Sequence, residues 1–504
     1  MTASPTPQTT SAPDQDGSST PQPQPAAPSG GWSELLSRQH LATVLVLAGG
    51  VALYAMNLYF TAALMPSIVS DIGGARYYAW VATGFLMAAV IASMLVSRCL
   101  ASTGAARAYV VGFLVFGAGA ALNSLSPSME VLILGRVVQG LGGGLLAGLG
   151  YAVIRGALPD RLWARAAGLI SAMWGVGTLV GPALGGLFAQ LGAWRWAYAL
   201  LLVAAVLLAV LAYRVLPRHG GGGRGTSPIP LASLALLTLA AAAFGVSSAV
   251  PRGWATGASI AAGALLLAGF VRVERRGAAT VLPTLAYQRG NALKWVYLTV
   301  AVLCAGVMAE TFIPLFGQEL GGLTPLAAGL LGAALSVGWV VAQLFSVGLA
   351  TPAARSRAIR TGPVLLTAGL VAYGLLQASS ASAALVAVWA VLLFVAGTGI
   401  GLAFPHLSVA AMRSSTDENE GSKAAAALNT TQLIAYAVCS ALAGTLVSLG
   451  DDSMLDSARY MTLGIAVITA LGLITAVRTT KDGAREGARE DAREDVRGGA
   501  RDGL

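Results

Sequence analysis

The sequence predicts an all-α polytopic membrane protein of fourteen spans, and three observations carry the prediction. Of its 504 residues 56% are hydrophobic and only 11% charged, with a mean hydropathy of +0.72, whereas a soluble domain carries about 25% charged residues. Apolar runs of about 20 residues, each able to cross a hydrocarbon layer roughly 30 Å thick as a helix, recur along nearly the whole chain. Lys and Arg segregate into alternate loops, as expected of loops retained on the cytoplasmic side.

The runs centre on residues 41–68, 79–96, 108–122, 131–154, 166–191, 196–216, 231–250, 254–271, 295–316, 326–349, 363–376, 383–404, 424–449 and 460–477. The first begins too late and runs too long for a cleaved signal peptide, so it is expected to serve as the first span itself. Of the 31 Lys and Arg, four (Arg76, Arg195, Arg252 and Arg459) fall in one set of loops and Arg136 lies inside the fourth run. All the others fall on the opposite side, which puts both termini in the cytoplasm. The net charge of +9 is accounted for by this topology and gives no reason to expect nucleic-acid binding. Anionic lipid headgroups are its natural counterpart.

Both ends are polar. The Pro, Ser, Thr and Gln of residues 1–31 cannot bury enough apolar surface to fold, and a disordered cytoplasmic tail is expected there. After Val477 the chain places Arg485, Arg489, Arg493, Arg497 and Arg501 four apart among Glu, Asp and Gly. Glu and Arg at that spacing favour a solvated helix, but the glycines oppose one, and a disordered, charge-mixed tail is the preferred reading. Cys99, Cys304 and Cys439 show no metal or disulfide spacing. No cofactor, metal site or catalytic residue is expected. The rarity of Lys beside abundant Arg, Ala and Gly fits a GC-rich bacterial genome.

Motifs narrow the class. The fourth run contains RVVQGLGGG (Arg136, Gln139, Gly140, Gly142) and the fifth GVGTLVGPALGG (Gly175, Gly177, Gly181, Pro182, Gly185, Gly186), followed by WRWAY from Trp194 to Tyr198. Small residues at helical spacing, Gly181, Ala183, Gly185 and Ala189, let another backbone approach closely, and Pro182 permits a bend. Ordinary helix packing is the alternative to a gating role. In this order and spacing the segments resemble the major facilitator superfamily, specifically the fourteen-helix branch of drug:proton antiporters, over residues 41–477. FVRVERRGAATVLPTLAYQRGN, from Phe270 to Asn291, resembles the connector of that branch.

The resemblance implies a 6+2+6 arrangement: two six-helix bundles (41–216 and 293–478) rocking around a midplane cavity, two accessory helices within 217–292, and cytoplasmic tails at 1–40 and 479–504. Two departures stand out. The loop after the second run reads SRCLASTGAARAYVVG, keeping Arg98, Gly104 and Arg107 but placing Ala101 where the family has an acidic residue. Asn57 stands where the family has its membrane-embedded aspartate.

One acidic residue lies well inside an apolar run: Glu310. An ionised carboxylate there costs at least ~2.5 kcal/mol unless paired or facing water. Aligning YAMNLYFTAALMP with VMAETFIPLFGQ sets Asn57 opposite Glu310, each about 15 residues, or roughly 22 Å, from the inner end of its helix. The coupling carboxylate is therefore expected in the second half, with a simple interhelical hydrogen bond as the alternative. Arg136 sits at comparable depth; a pair with Glu310, with backbone carbonyls or with Gln139 are its open alternatives. Tyr54, Asn57, Tyr59, Phe60, Gln139, Trp174, Phe312, Gln318 and Gln432 are candidates to line a substrate cavity. His406 follows Pro405 and can titrate near neutrality.

The expected function is proton-coupled export of drugs or a hydrophobic metabolite by a monomer in the bacterial cytoplasmic membrane, with small-molecule substrate, protons and lipids as partners. A proton-independent facilitator or importer is the second reading, suggested by Asn57. A membrane enzyme or scaffold has no motif to support it.

Overall fold

A computed structural model describes residues 32–159, 162–217, 230–250, 253–277, 280–288, 291–349, 351–412, 414, 418–450 and 453–499. Residues 1–31 of the N-terminal tail, and Arg252, lie outside the described residues. The long helices are α1 (Leu41–Ile72), α2 (Tyr78–Ser93), α3 (Val96–Ser124), α4 (Met129–Ala152), α5 (Trp163–Gln190), α6 (Trp194–Val215), α7 (Leu231–Ala249), α8 (Trp254–Glu274), α9 (Leu293–Glu319), α10 (Pro325–Ser346), α11 (Pro352–Leu375), α12 (Ala383–Met412), α13 (Glu418–Ser448) and α14 (Met454–Gly499). Among the described residues thirteen candidate spans are long and apolar enough to cross a membrane, and the apolar stretch of α7, Leu231–Ser247, is shorter.

Packing repeats itself along the chain. On α4, Gly140 and Gly144 lie against the carbonyls of Phe85 and Ala89 on α2, with no room for a side chain. On α12, Gly397 and Gly401 lie in the same way against the carbonyls of Leu335 and Trp339 on α10. Two glycines four apart thus meet two carbonyls four apart, once in α1–α6 and once in α9–α14. Close backbone approach of this kind is what packs helices where lipid supplies no hydrophobic drive. Likewise α3 packs on α4 and α6 while α11 packs on α12 and α14.

The two sets meet along two seams. On one, Gly186 of α5 lies against Leu326 of α10, and Gly329 of α10 against the Pro182 carbonyl. On the other, α2 meets α13, where Thr83 donates to Ser440 Oγ at 3.2 Å. Helix α7 lies over this second seam and touches both sides of it: Trp80 Nε1 of α2 donates to the Gly245 carbonyl at 2.9 Å, and Thr445 Oγ1 of α13 donates to the Phe244 carbonyl at 3.0 Å. Helix α8 packs on α7.

Three sequence expectations are corrected. The segment after α2 is not an open loop: Val96–Ser124 is helical apart from a break at Gly104, where φ is 77° and a side chain would be strained. Helix α9 is not continuous either. It unwinds into a 3₁₀ turn over Met308–Thr311 before Ile313–Glu319 resumes, because Pro314 has no N–H to give the Glu310 carbonyl four residues earlier. The polar tail is not irregular as far as it is described: α14 continues to Gly499, and residues 500–504 lie outside the described residues.

The connector after α8 is held by a carboxylate whose burial is not evident from its place at the polar end of the run. Glu274 accepts from the Val281 amide at 3.0 and 3.1 Å, from the Leu282 amide at 3.2 Å and from the Tyr287 hydroxyl at 2.8 Å. Burial and the neighbouring carboxylate both push the Tyr287 phenol up, so it remains the donor. Glu274→Gln would turn an NH₂ toward these donors. Thermal unfolding of the purified variant is expected to show a loss of about 2 kcal/mol, with transport near the wild-type rate.

Candidate functional site

Glu310 lies on the 3₁₀ turn that interrupts α9, and it is buried. Its Oε1 accepts a hydrogen bond of 2.7 Å from Ser336 Oγ on α10, while Oε2 has no protein partner. It lines a narrow cavity of about 20 Å³, which is room for about one water. The walls come from both sets of helices: Tyr59, Thr61 and Met65 of α1, Tyr78 and Val81 of α2, Arg136 of α4, and Met308, Glu310 and Thr311 of α9.

Arg136 lines the same cavity. It is fully buried. Its Nη1 donates to Gln139 Oε1 at 2.7 Å and its Nε to the Val81 carbonyl at 3.4 Å, and the guanidinium lies 4.2 Å from the centre of the Phe85 ring. The cation–π contact is worth ~2 kcal/mol when desolvated. Nη2 has no partner, and no carboxylate among the described residues pairs with Arg136. Gln139 is itself fixed by Asn123 Nδ2, which donates to its Oε1 at 3.0 Å. A buried carboxyl and a buried cation, each with one unsatisfied atom, therefore line one narrow cavity from different halves. The carboxyl can exchange a proton with water there, while the guanidinium keeps its charge.

The other sequence candidates are not all at this cavity. Tyr59 lines it, with its hydroxyl buried and unpartnered. Both side-chain polar atoms of Asn57 are also buried without partners, as is the hydroxyl of Tyr54, whose ring stacks on Phe85 at 5.4 Å and meets Trp174 edge-on at 5.6 Å. Gln432 and Tyr436 of α13 sit beside Cys304 of α9, and the Tyr436 hydroxyl is unpartnered too. Phe60 points away, edge-on to Phe188 and Tyr198. Gln139 faces α3 and positions Arg136. Phe312 is packed between Tyr78, stacked at 4.7 Å, and Phe316 at 6.2 Å. Gln318 is half-buried near the end of α9, with its Nε2 unpartnered. His406 is at the far end of α12: Ser346 Oγ donates to the Leu402 carbonyl at 2.7 Å and lies 2.9 Å from His406 Nε2.

Ser336, Tyr78 and Tyr436 were not singled out by the sequence, since a lone hydroxyl in an apolar run gives no signal of its own. Above the cavity, at the end carrying the α1–α2 connection, Arg195 Nη1 donates to Asp71 Oδ2 at 2.5 Å and Trp194 Nε1 to the same oxygen at 3.1 Å. Tyr78 donates to the Thr311 carbonyl at 3.4 Å across the halves. The glycines of α5 serve two neighbours: Gly177, Gly181 and Gly185 lie against α1, and Gly175 and Gly186 against α10. One helix is thereby packed backbone to backbone into its own half and into the other.

Comparison with known proteins agrees with this architecture. The profile of the Major Facilitator Superfamily matches residues 45–438. A relative from Mycobacterium tuberculosis named "Probable multidrug-efflux transporter" is 44% identical over 461 residues, covering 90% of this chain and 98% of the relative. The multidrug transporter protein MdtP of Bacillus subtilis is 23% identical over 395 residues, covering 76% of this chain and 71% of MdtP. Among solved structures, a POT family transporter in complex with 5-aminolevulinic acid aligns with a TM-score of 0.63 at 14% identity, covering 90% of this chain and 98% of its own. A D-xylose–proton symporter aligns with a TM-score of 0.60 at 14% identity, covering 88% and 99%. The repeated helix packing, the glycine-rich α5 and this coverage together make the chain a member of the Major Facilitator Superfamily, a multi-pass membrane transporter of small molecules and not an enzyme.

Proposed function

We propose that this protein exports hydrophobic small molecules, drugs among them, across the bacterial cytoplasmic membrane in exchange for protons. It works as a monomer by alternating access of two six-helix bundles, α1–α6 and α9–α14, with α7 and α8 as accessory spans and both termini in the cytoplasm. The observation that carries the proposal is Glu310, buried in an interrupted helix and lining one narrow cavity together with Arg136. A carboxylate so placed has few structural reasons to be kept and one functional one: it can hold or release a proton according to which side supplies water. The name of the mycobacterial relative supports multidrug efflux as the direction and substrate range. The apolar setting of Tyr54, Trp174 and Tyr436 suits a bulky, weakly polar substrate.

A proton-independent facilitator is the second reading, favoured by Asn57 in place of an acidic residue on α1. Inverted vesicles separate the two. Accumulation of fluorescent apolar dyes that follows an imposed pH gradient, and stops when the gradient is collapsed, supports exchange; accumulation indifferent to the gradient supports facilitation. A growth-inhibition panel in an efflux-deficient host identifies the substrates to use.

A further inference from the structure

A groove at the charged end of the molecule has no part in the transport site. It lies between the start of α9 and the far part of α14, and its volume is about 650 Å³. Lys294, Arg478 and Lys481 line it, with Trp295 between them: Arg478 lies 4.5 Å and Lys294 5.6 Å from the centre of the indole ring. None of the lining residues among those described is acidic. Arg478 and Lys481 are exposed and Lys294 half-buried. The chain has three lysines, Lys294, Lys423 and Lys481, and two of them are here.

The charges are only half of the groove. Leu473 and Ile474, one turn before Arg478 on α14, form an apolar wall and are 41% and 56% exposed. Positions 474, 478 and 481 follow one another along a single face of α14 at helical spacing. Three cations at one end of an open apolar wall, with an indole at the boundary, match a molecule with an anionic head and a hydrocarbon tail. A free phosphate would use the charges but not the wall.

We propose that this groove binds one anionic phospholipid, its headgroup phosphate held by Lys294, Arg478 and Lys481 and an acyl chain laid along Leu473 and Ile474. The lipid bridges α9 and α14 at their charged ends. Arg360, which donates to Thr480 Oγ1 at 2.8 Å on the neighbouring helix, adds to the local positive field.

The test uses the full chain purified in detergent and follows its melting temperature against added lipid. Phosphatidylglycerol is expected to stabilise it selectively over phosphatidylcholine of the same acyl composition, and inorganic phosphate is expected to have no effect. In the variant combining Lys294→Gln, Arg478→Gln and Lys481→Gln, apparent affinity for phosphatidylglycerol is expected to fall roughly a hundredfold, about fivefold for each charge lost near a headgroup. A control of equal charge loss, Arg272→Gln with Arg275→Gln and Arg276→Gln, should stay within about threefold of wild type, since those exposed side chains lie outside the groove. If the triple variant does not fold, Lys481→Gln alone carries the test through its expected fivefold loss. Equal stabilisation by both lipids, stabilisation by phosphate alone, or unchanged affinity in the groove variants would overturn the proposal.

Discussion

Replacing Glu310 by glutamine is expected to reduce gradient-driven export at least tenfold and to leave the residual transport insensitive to pH. Glutamine keeps the carbonyl oxygen that accepts from Ser336 Oγ and nearly the same volume, so the packing of α9 against α10 has no cause to change. What it loses is the ability to carry charge. Arg136 has no carboxylate partner among the described residues, so the only acid on its cavity is Glu310. The proposed coupling needs a protonated and an ionised state of Glu310; glutamine offers one state, and a single-state site cannot couple two fluxes. The check is dye accumulation in inverted vesicles across a series of imposed gradients, with the melting temperature of the purified variant as a folding control. Wild-type gradient dependence in a folded Glu310→Gln protein would sink the coupling role.

Gly186→Leu is expected to have an effect of similar size by a different route. A Cβ at Gly186 would lie 2.7 Å from Leu326 Cα and 2.8 Å from the Pro325 carbonyl, both main-chain atoms that cannot rotate aside. Overpacking of this kind costs ~1–3 kcal/mol, and here the strain falls between the halves. The α5–α10 seam would be wedged at the end carrying Asp71 and Arg195, and the closed arrangement would be lost while each half stays packed. Export should fall at least tenfold. A cysteine at Ala62, in a background lacking Cys99, Cys304 and Cys439, should react faster with a polar thiol reagent because the cavity it lines is held open. Unchanged labelling together with normal export would mean that α10 yields and that the seam is not a gate.

Much of the fold was legible because hydrocarbon imposes a simple rule: a span must be apolar and long, and its backbone must satisfy itself. Helix α1 begins at Leu41 as its apolar run does, and it ends four residues beyond the run, at Ile72. Glu310 stood out for the same reason, since a carboxylate in such a run must be accounted for. The identity of its partners was not legible. Ser336 is one serine among many, and nothing in the order of residues shows that α4 and α9 share a cavity; that depends on how two sets of helices are rotated against each other. The break in α9 was written in Pro314, four residues after Glu310, but a proline inside a span can bend a helix as well as unwind it. Glu274 shows the reverse error of scale. It looks like the polar end of a span, and it is the acceptor around which a connector is built.

The placement of α7 has a consequence for how a greasy molecule can reach the interior. With α7 strapped to Trp80 on one side and Thr445 on the other, one end of the α2–α13 seam is bridged by a helix. Among the described residues no helix bridges the opposite seam in this way: Val176, Leu179 and Leu187 of α5 and Leu330 of α10 remain exposed beside it. A solute partitioned into the bilayer therefore meets two unlike flanks, one bridged by α7 and one with exposed leucines, and the α5–α10 flank is the expected side for any sideways entry.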